Sequence, residues 1–214
     1  MLKYLLFDLD GTLIDSSRCI FKVYTDIFSE LNIPKPDDDT MKTFIGPSIE
    51  QTIGLYYDGD IKAACTRFRE IYKTVDLKEY NSLFPGVRKM LATLKDDGYI
   101  LALATSKFYY FTNQILEIFD IKQYFSYVQG SNGPQGIITK ADVIRALFSM
   151  GVQKDKCMLI GDTKYDIEGA KEAGIPVGIV KYGFGVASDF ENADVLWYAN
   201  SACDIVDKVR STKL

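Results

Sequence analysis

Four short, almost uninterrupted apolar runs, each ending on polar or acidic residues, constrain this chain more than any other feature. They cover residues 4–9, 100–104, 158–160 and Val177–Val180, with a weaker fifth at 195–197. Runs this short and apolar suit strands buried on both faces. Helical periodicity lies between them, most clearly over residues 87–95, 110–119, 141–150 and 167–173, and Gly98, Gly151 and Gly174 stand where helical patterns stop. Strands alternating with helices at this spacing predict an α/β fold, with a doubly wound, mostly parallel sheet.

The stretch from residue 16 to 81 breaks that alternation. Ile20, Val23, Tyr24, Ile27, Phe28 and Leu31 recur at helical spacing, a second helical pattern covers residues 61–75, and no strand-like run interrupts them. Pro34, Pro36 and the acidic Asp37, Asp38 and Asp39 mark a turn inside it. Leu83-Phe84-Pro85-Gly86 marks the return, with Pro85 suited to the start of a helix. The expected organisation is an α/β core of residues 1–15 and 82–214, with an all-helical cap of residues 16–81 inserted after the first strand.

Composition narrows the chemistry. The 214 residues include no histidine, which removes Ser-His-Asp and Cys-His catalysis, histidine zinc sites and phosphohistidine chemistry together. Carboxylates, lysine, hydroxyls and a hard metal remain. Cys19, Cys65, Cys157 and Cys203 form no CxxC pair and read as reduced thiols of a cytoplasmic protein. The opening MLKYLLFDLD does not read as a signal peptide, and no run reaches transmembrane length. A formal charge of -4 gives neither a nucleic-acid polymer nor an anionic membrane an electrostatic reason to bind. Attraction for an anionic substrate must then come from local cations. A monomer or weak homodimer is expected.

Chemistry gathers at the ends of the apolar runs. Asp8-Leu9-Asp10-Gly11-Thr12 follows the first, and strand alternation points Asp8 and Asp10 the same way, at the carboxyl edge where parallel sheets bind ligands. Two carboxylates so close repel unless a cation lies between them or one holds a proton. Both arrangements suit phosphoryl transfer: one carboxylate attacks phosphorus while the other exchanges a proton with the leaving oxygen. Alone, the segment also reads as a helix-capping turn.

Thr105-Ser106-Lys107 ends the next run; its hydroxyl and following backbone N–H can hold a phosphate oxygen or simply cap a helix. Lys140 opens a helical pattern after the irregular residues 130–139, at the end of the macrodipole where a cation is unfavourable. Its ammonium either has a partner, such as Asp8 and a phosphoryl group, or is solvated at the surface. Asp162, in Gly161-Asp162-Thr163-Lys164-Tyr165-Asp166, can ligate a hard cation. Asp166, one helical turn later, can brace the site through water or Lys140, although acids also favour helix starts for structural reasons.

Taken in order, these segments resemble the four motifs of the haloacid dehalogenase superfamily: FDLDGTL at residues 7–13, Thr105, Lys140, and GDTKYD at residues 161–166. The resemblance covers essentially the whole chain. It implies a Rossmann-like core, a small helical cap inserted after the first motif, and dependence on Mg²⁺. By position it makes Asp8 the nucleophile and a metal ligand. Asp10 becomes the general acid/base, with its backbone carbonyl also on the metal, and Asp162 becomes a further metal ligand. Thr105, the Ser106 amide and Lys140 would hold the phosphoryl group, with Asp166 in support.

Within the superfamily, the dehalogenase branch lacks an acid two residues after its nucleophile, so Asp10 points to phosphoryl transfer. Members similar to β-phosphoglucomutase share the cap type but typically carry a histidine early in the cap, and this chain has none. The pattern of Gly130, Ser131, Gly136 and Lys140 is similar to a branch of bacterial proteins described as 5′-nucleotidases or phosphoglycolate phosphatases. The implied reaction hydrolyses a small-molecule phosphate monoester, a nucleoside monophosphate or a phosphoglycolate-like metabolite. It runs as two in-line displacements through an aspartyl-phosphate. A phosphomutase and a non-catalytic regulatory module on the same scaffold are the alternatives.

Gly46 and Pro47, in the break Phe44-Ile45-Gly46-Pro47-Ser48, are candidate substrate-specificity residues, as is Lys107. That break reads equally as an ordinary turn between helices, with Ser48 capping the second. Tyr109, Tyr110 and Phe111 either flank an aromatic base or pack the core.

Overall fold

In the computed structural model, which describes residues 1–132, 136–137 and 139–213, the chain opens with β1 (Tyr4–Phe7) and the two-residue β2 (Ile14–Asp15). Five helices follow: α1 (Ser17–Glu30), α2 (Asp38–Lys42), α3 (Ile49–Gly54), α4 (Ile61–Thr74) and α5 (Leu77–Tyr80). Then come β3 (Ser82–Leu83), α6 (Val87–Asp96), β4 (Ile100–Phe108), α7 (Tyr109–Ile118), β5 (Phe125–Ser131) and α8 (Lys140–Ser149). The chain ends with β6 (Cys157–Gly161), α9 (Lys164–Ala173), β7 (Val177–Val180), β8 (Trp197–Ala199) and α10 (Ala202–Ser211).

Six of the strands form one parallel sheet in the order β5-β4-β1-β6-β7-β8. The chain winds outward from β1 through β4 to β5, then returns to the other side of β1 for β6, β7 and β8. This is the doubly wound topology that the apolar runs predict. Strand alternation divides the core into two clusters. Leu5, Phe7, Leu101, Leu103, Met158 and Ile160 meet apolar residues of α6, α7 and α10 on one face. Leu6, Ala102, Ala104 and Leu159 meet those of α8 and α9 on the other. Val143, Ile144 and Leu147 of α8 are fully buried, each contributing roughly 1.5–3 kcal/mol of apolar transfer.

Several boundaries move. The first strand ends at Phe7, because the chain turns at Asp8–Gly11 instead of continuing to residue 9. The fifth apolar run pairs two residues later than its composition suggests, as β8. Strand β5 has no counterpart among the apolar runs. It is an edge strand, half-exposed along most of its length, so it needs no continuous apolar sequence. No strand interrupts α1 to α5, whose two ends are joined by antiparallel pairing of β2 with β3. Gly174 is the left-handed C-cap of α9, and Ser48 closes a reciprocal capping box on α3 with Gln51. Pro85 lies just outside α6, whose N-cap is Gly86. The four cysteines are free, and three are buried.

Candidate active site

Sheet register brings the motif residues together. Phe7 of β1 is level with Leu103 of β4 and with Ile160 of β6. Asp8 and Asp162, just past the ends of β1 and β6, therefore lie within two residues of the level of Thr105 in β4. The Asp8 N–H donates to the Ile160 carbonyl at 2.9 Å, holding the turn against β6.

Lys140 organises the acids. Its ammonium lies 2.7 Å from Asp8 Oδ1 and 2.9 Å from Asp166 Oδ1, and donates to the Ala104 carbonyl at 3.0 Å. The ammonium thus makes two ion pairs and one hydrogen bond. The side chain is only 5% exposed, which removes the solvated-surface reading. Thr139, as N-cap of α8, closes a capping box with Asp142, so the helix start has its own acid and does not need Lys140 replaced by one.

Asp166 is fully buried and uses its other oxygen, Oδ2, to accept from the Asp162 N–H, the Thr163 N–H and the Thr163 hydroxyl, each at 3.1 Å. Through Oδ2 it braces the turn that carries Asp162. Asp162 accepts from the Thr12 hydroxyl at 3.2 Å and from the Phe184 N–H at 2.8 Å. Gly11 makes this proximity possible. Its φ is +86°, and a Cβ there would overlap the Asp162 carboxylate and the Phe184 ring.

One oxygen from each of Asp8, Asp162 and Asp166 lies within 4.8 Å of the others. Three buried carboxylates, with neither imidazole nor thiol among them, are a donor set for a hard divalent cation. Without one, Asp8 and Asp162 resist ionisation. Burial, with Asp166 and Asp10 adding repulsion against the pull of Lys140, raises the Asp8 pKa from its ordinary 3.8 to about 6. Burial, reinforced by Asp166 and Asp8, pushes Asp162 well above the usual carboxylate range. Burial opposes the charge on Lys140, but Asp166 and Asp8 outweigh it and keep the ammonium charged.

Asp8, Asp10, Thr105, Ser106, Lys107 and Lys140 line an open cavity together with Gly46 and Pro47. Asp162 and Asp166 are fully buried and do not line it. Thr105 and Ser106 do not cap a helix: β4 continues past them to Phe108, and α7 begins without a side-chain cap. The Thr105 hydroxyl accepts the Lys107 N–H at 3.2 Å, so its own hydrogen can be donated to a ligand. Lys107, a specificity candidate by sequence, is directed instead at Asp10, donating to its two carboxylate oxygens at 3.0 and 3.1 Å. Gly46 has φ +117°, and a Cβ there would stand 3.0 Å from the Tyr165 ring, so the turn before α3 rests against the start of α9. Phe111 lines the cavity, whereas Tyr109 and Tyr110 are exposed and lie outside it. Part of the irregular segment before Lys140, residues 133–135 and 138, lies outside the described residues.

Sequence reading missed the opposite side of the cavity. Arg69 and Tyr72 of α4 and Glu50 of α3 line it, and the Lys107 ammonium lies 5.0 Å from the centre of the Tyr72 ring. On an amphipathic helix, charged residues are ordinarily assigned to solvent. The available signal was position: Arg69 stands four residues after the buried Cys65 and three before the buried Tyr72, beside the apolar stripe.

Comparison with known proteins identifies the family. Residues 5–180 match the model of a family described as haloacid dehalogenase-like hydrolase. A tyrosine-protein kinase, PtkA, of Mycobacterium tuberculosis is 30% identical over 97% of this chain and 71% of its own length. A 5′-nucleotidase of Pseudomonas aeruginosa is 34% identical over 85% of this chain and 83% of its own. Among solved structures, a predicted phosphatase from Clostridium acetobutylicum superposes with a TM-score of 0.92 at 34% identity, covering 99% of this chain and 100% of that one.

Proposed function

Because the chain belongs to the haloacid dehalogenase-like hydrolase family, we propose that it is a Mg²⁺-dependent phosphatase acting on a small phosphate monoester through a phosphorylated Asp8. The observation that carries this reading is the setting of Asp8. Asp8 Oδ1 is ion-paired to Lys140, yet it accepts no hydrogen bond among the described residues. Asp8 also lines an open cavity. Asp166, which braces a turn, instead accepts three hydrogen bonds through Oδ2.

Asp8 and Asp162, with the Asp10 backbone carbonyl, would hold Mg²⁺. When bound, the ion offsets the repulsion among the acids and the charge of the phosphoryl oxygens. Asp8 Oδ2 attacks phosphorus, the P–O bond to the leaving group breaks, and Asp10 gives that oxygen a proton. Asp10 then takes a proton from the water that attacks the acyl phosphate, which releases inorganic phosphate and restores Asp8. Lys140, the Thr105 hydroxyl and the Ser106 N–H stabilise the equatorial oxygens in both steps. Lys107 aims Asp10. Both Asp10 oxygens accept from it, so one of those bonds is exchanged when Asp10 engages the leaving oxygen.

On this reading residues 16–81 form a cap over the catalytic unit of residues 1–15 and 82–214. The cap supplies the Gly46–Pro47 turn and the α4 wall, and shields the acyl phosphate from bulk water. The test is phosphate release from a panel of nucleoside monophosphates, sugar phosphates and phosphoglycolate, with Mg²⁺ and with EDTA. Release that needs Mg²⁺ and disappears in Asp8→Asn supports the proposal. Activity insensitive to both refutes it, and an isomerised sugar phosphate in place of free phosphate identifies a mutase.

A further inference from the structure

The wall facing Asp8 carries one charged pair in largely apolar surroundings. Arg69 Nη2 donates to Glu50 Oε1 at 2.6 Å, with side chains only 17% and 28% exposed. The guanidinium also lies over Phe108, 5.6 Å from its ring centre, while Phe44 and Phe68 extend the same wall. Arg69 Nε is buried and has no hydrogen-bond partner among the described residues. The pair itself lines the cavity and is partly exposed, so the guanidinium and carboxylate edges can meet a ligand there.

The nature of that acceptor follows from Glu50. An unpaired arginine on this wall would select a second anion. Here the carboxylate of Glu50 already offsets its charge, and an incoming carboxylate would meet that negative charge at close range. A hydroxyl is both donor and acceptor. It can accept from the Arg69 guanidinium and donate its own hydrogen to Glu50, and the aromatic wall accepts the C–H faces of a ring.

We infer that the Arg69–Glu50 pair selects the leaving group, favouring phosphate esters of hydroxylated sugars or ribosyl groups over those of small carboxylic acids. This rests on the phosphatase reading above. Neither residue is assigned a part in the chemistry at Asp8; the two act on which ester is held there.

The experiment measures kcat and KM with Mg²⁺ for ribose 5-phosphate, uridine 5′-monophosphate and 2-phosphoglycolate. In the wild type, at least one of the two hydroxylated esters is expected to exceed phosphoglycolate in kcat/KM by tenfold or more, whichever of them leads. Glu50→Gln removes the negative charge at nearly constant shape. It should raise kcat/KM for phosphoglycolate and lower it for the leading hydroxylated ester, closing the gap at least tenfold, mainly through KM. Arg69→Met should raise KM for the hydroxylated ester at least tenfold, and it decides the matter together with the wild-type ranking if Glu50→Gln does not melt cooperatively. Phosphoglycolate ahead in the wild type, or a ratio unmoved in Glu50→Gln, overturns the assignment while leaving the phosphatase intact. No release from any ester overturns the phosphatase reading itself.

Discussion

Replacing Lys140 with methionine tests the centre of the site, because one ammonium serves two acids there. Its distances of 2.7 Å to Asp8 and 2.9 Å to Asp166 correspond to about 6 kcal/mol of gross attraction for each pair at an effective dielectric of about 20. Most of that is offset by the desolvation of three buried charges, and loss of one partner from a buried pair typically costs about 3–5 kcal/mol net. For a chain of this size, each kcal/mol moves Tm by about 2–4 °C, so Lys140→Met should melt about 6–20 °C below the wild type at pH 8 without metal.

The deficit should shrink on acidification. A carboxylate whose folded pKa is raised above its unfolded value binds more protons when folded, so stability rises as pH falls through the folded value. Asp8 is already raised to about 6 with Lys140 present, and removing the ammonium raises it further. The variant should therefore recover most of its loss between pH 8 and pH 5. Mg²⁺ should also restore part of its Tm. It should not restore turnover, which should fall by about 10²–10³-fold because the phosphoryl group loses a charged donor. Circular dichroism melts at several pH values, with phosphate release measured in parallel, read all of this. A variant that melts with the wild type at pH 8 and turns over within threefold of it would refute the role given to Lys140.

Three further outcomes follow from the same geometry. Asp10→Asn should retain a cooperative melt while kcat falls by about 10²–10⁴-fold; phosphate release within threefold of the wild type removes its acid/base role. Because Asp8 and Asp162 hold protons more tightly than ordinary carboxylates, Mg²⁺ must displace them at low pH. Calorimetric titration should show affinity falling about tenfold or more per pH unit below about pH 6, and an affinity independent of pH between 5 and 8 contradicts the shared acidic site. Gly11→Ala forces a side chain into the space of the Asp162 carboxylate at φ +86°. It should lower Tm and weaken Mg²⁺ at least tenfold, and a variant unchanged in both measures would show that the close approach is unimportant.

The sheet and the acidic centre were legible because the same constraint writes both. Strands buried on two faces must be apolar throughout, so the abrupt change to Asp8 and Asp162 marks two carboxyl ends, while at Thr105 the polar residues begin three residues before β4 ends. Lys140 was legible as an electrostatic misfit at a helix start, and its partners sit where that misfit required. Strand β5 was not legible, since an edge strand tolerates Ser126 and Gln129. Nor was the bond between Lys107 and Asp10, residues 97 positions apart in the chain, because nothing local in ATSKF says which way the lysine turns. Arg69 and Glu50 were hidden for a related reason. On short amphipathic helices a charged residue beside the apolar stripe looks the same whether it faces solvent or a cavity, and only the packing of α3 and α4 over the strand ends separates the two.

The most direct test is anomalous diffraction from crystals soaked in Mn²⁺, a hard cation that scatters strongly enough to be located. The account predicts a single strong peak touching carboxylate oxygens of both Asp8 and Asp162, beside the Asp10 carbonyl. A peak elsewhere, or an acidic cluster that stays empty at saturating Mn²⁺, would contradict it.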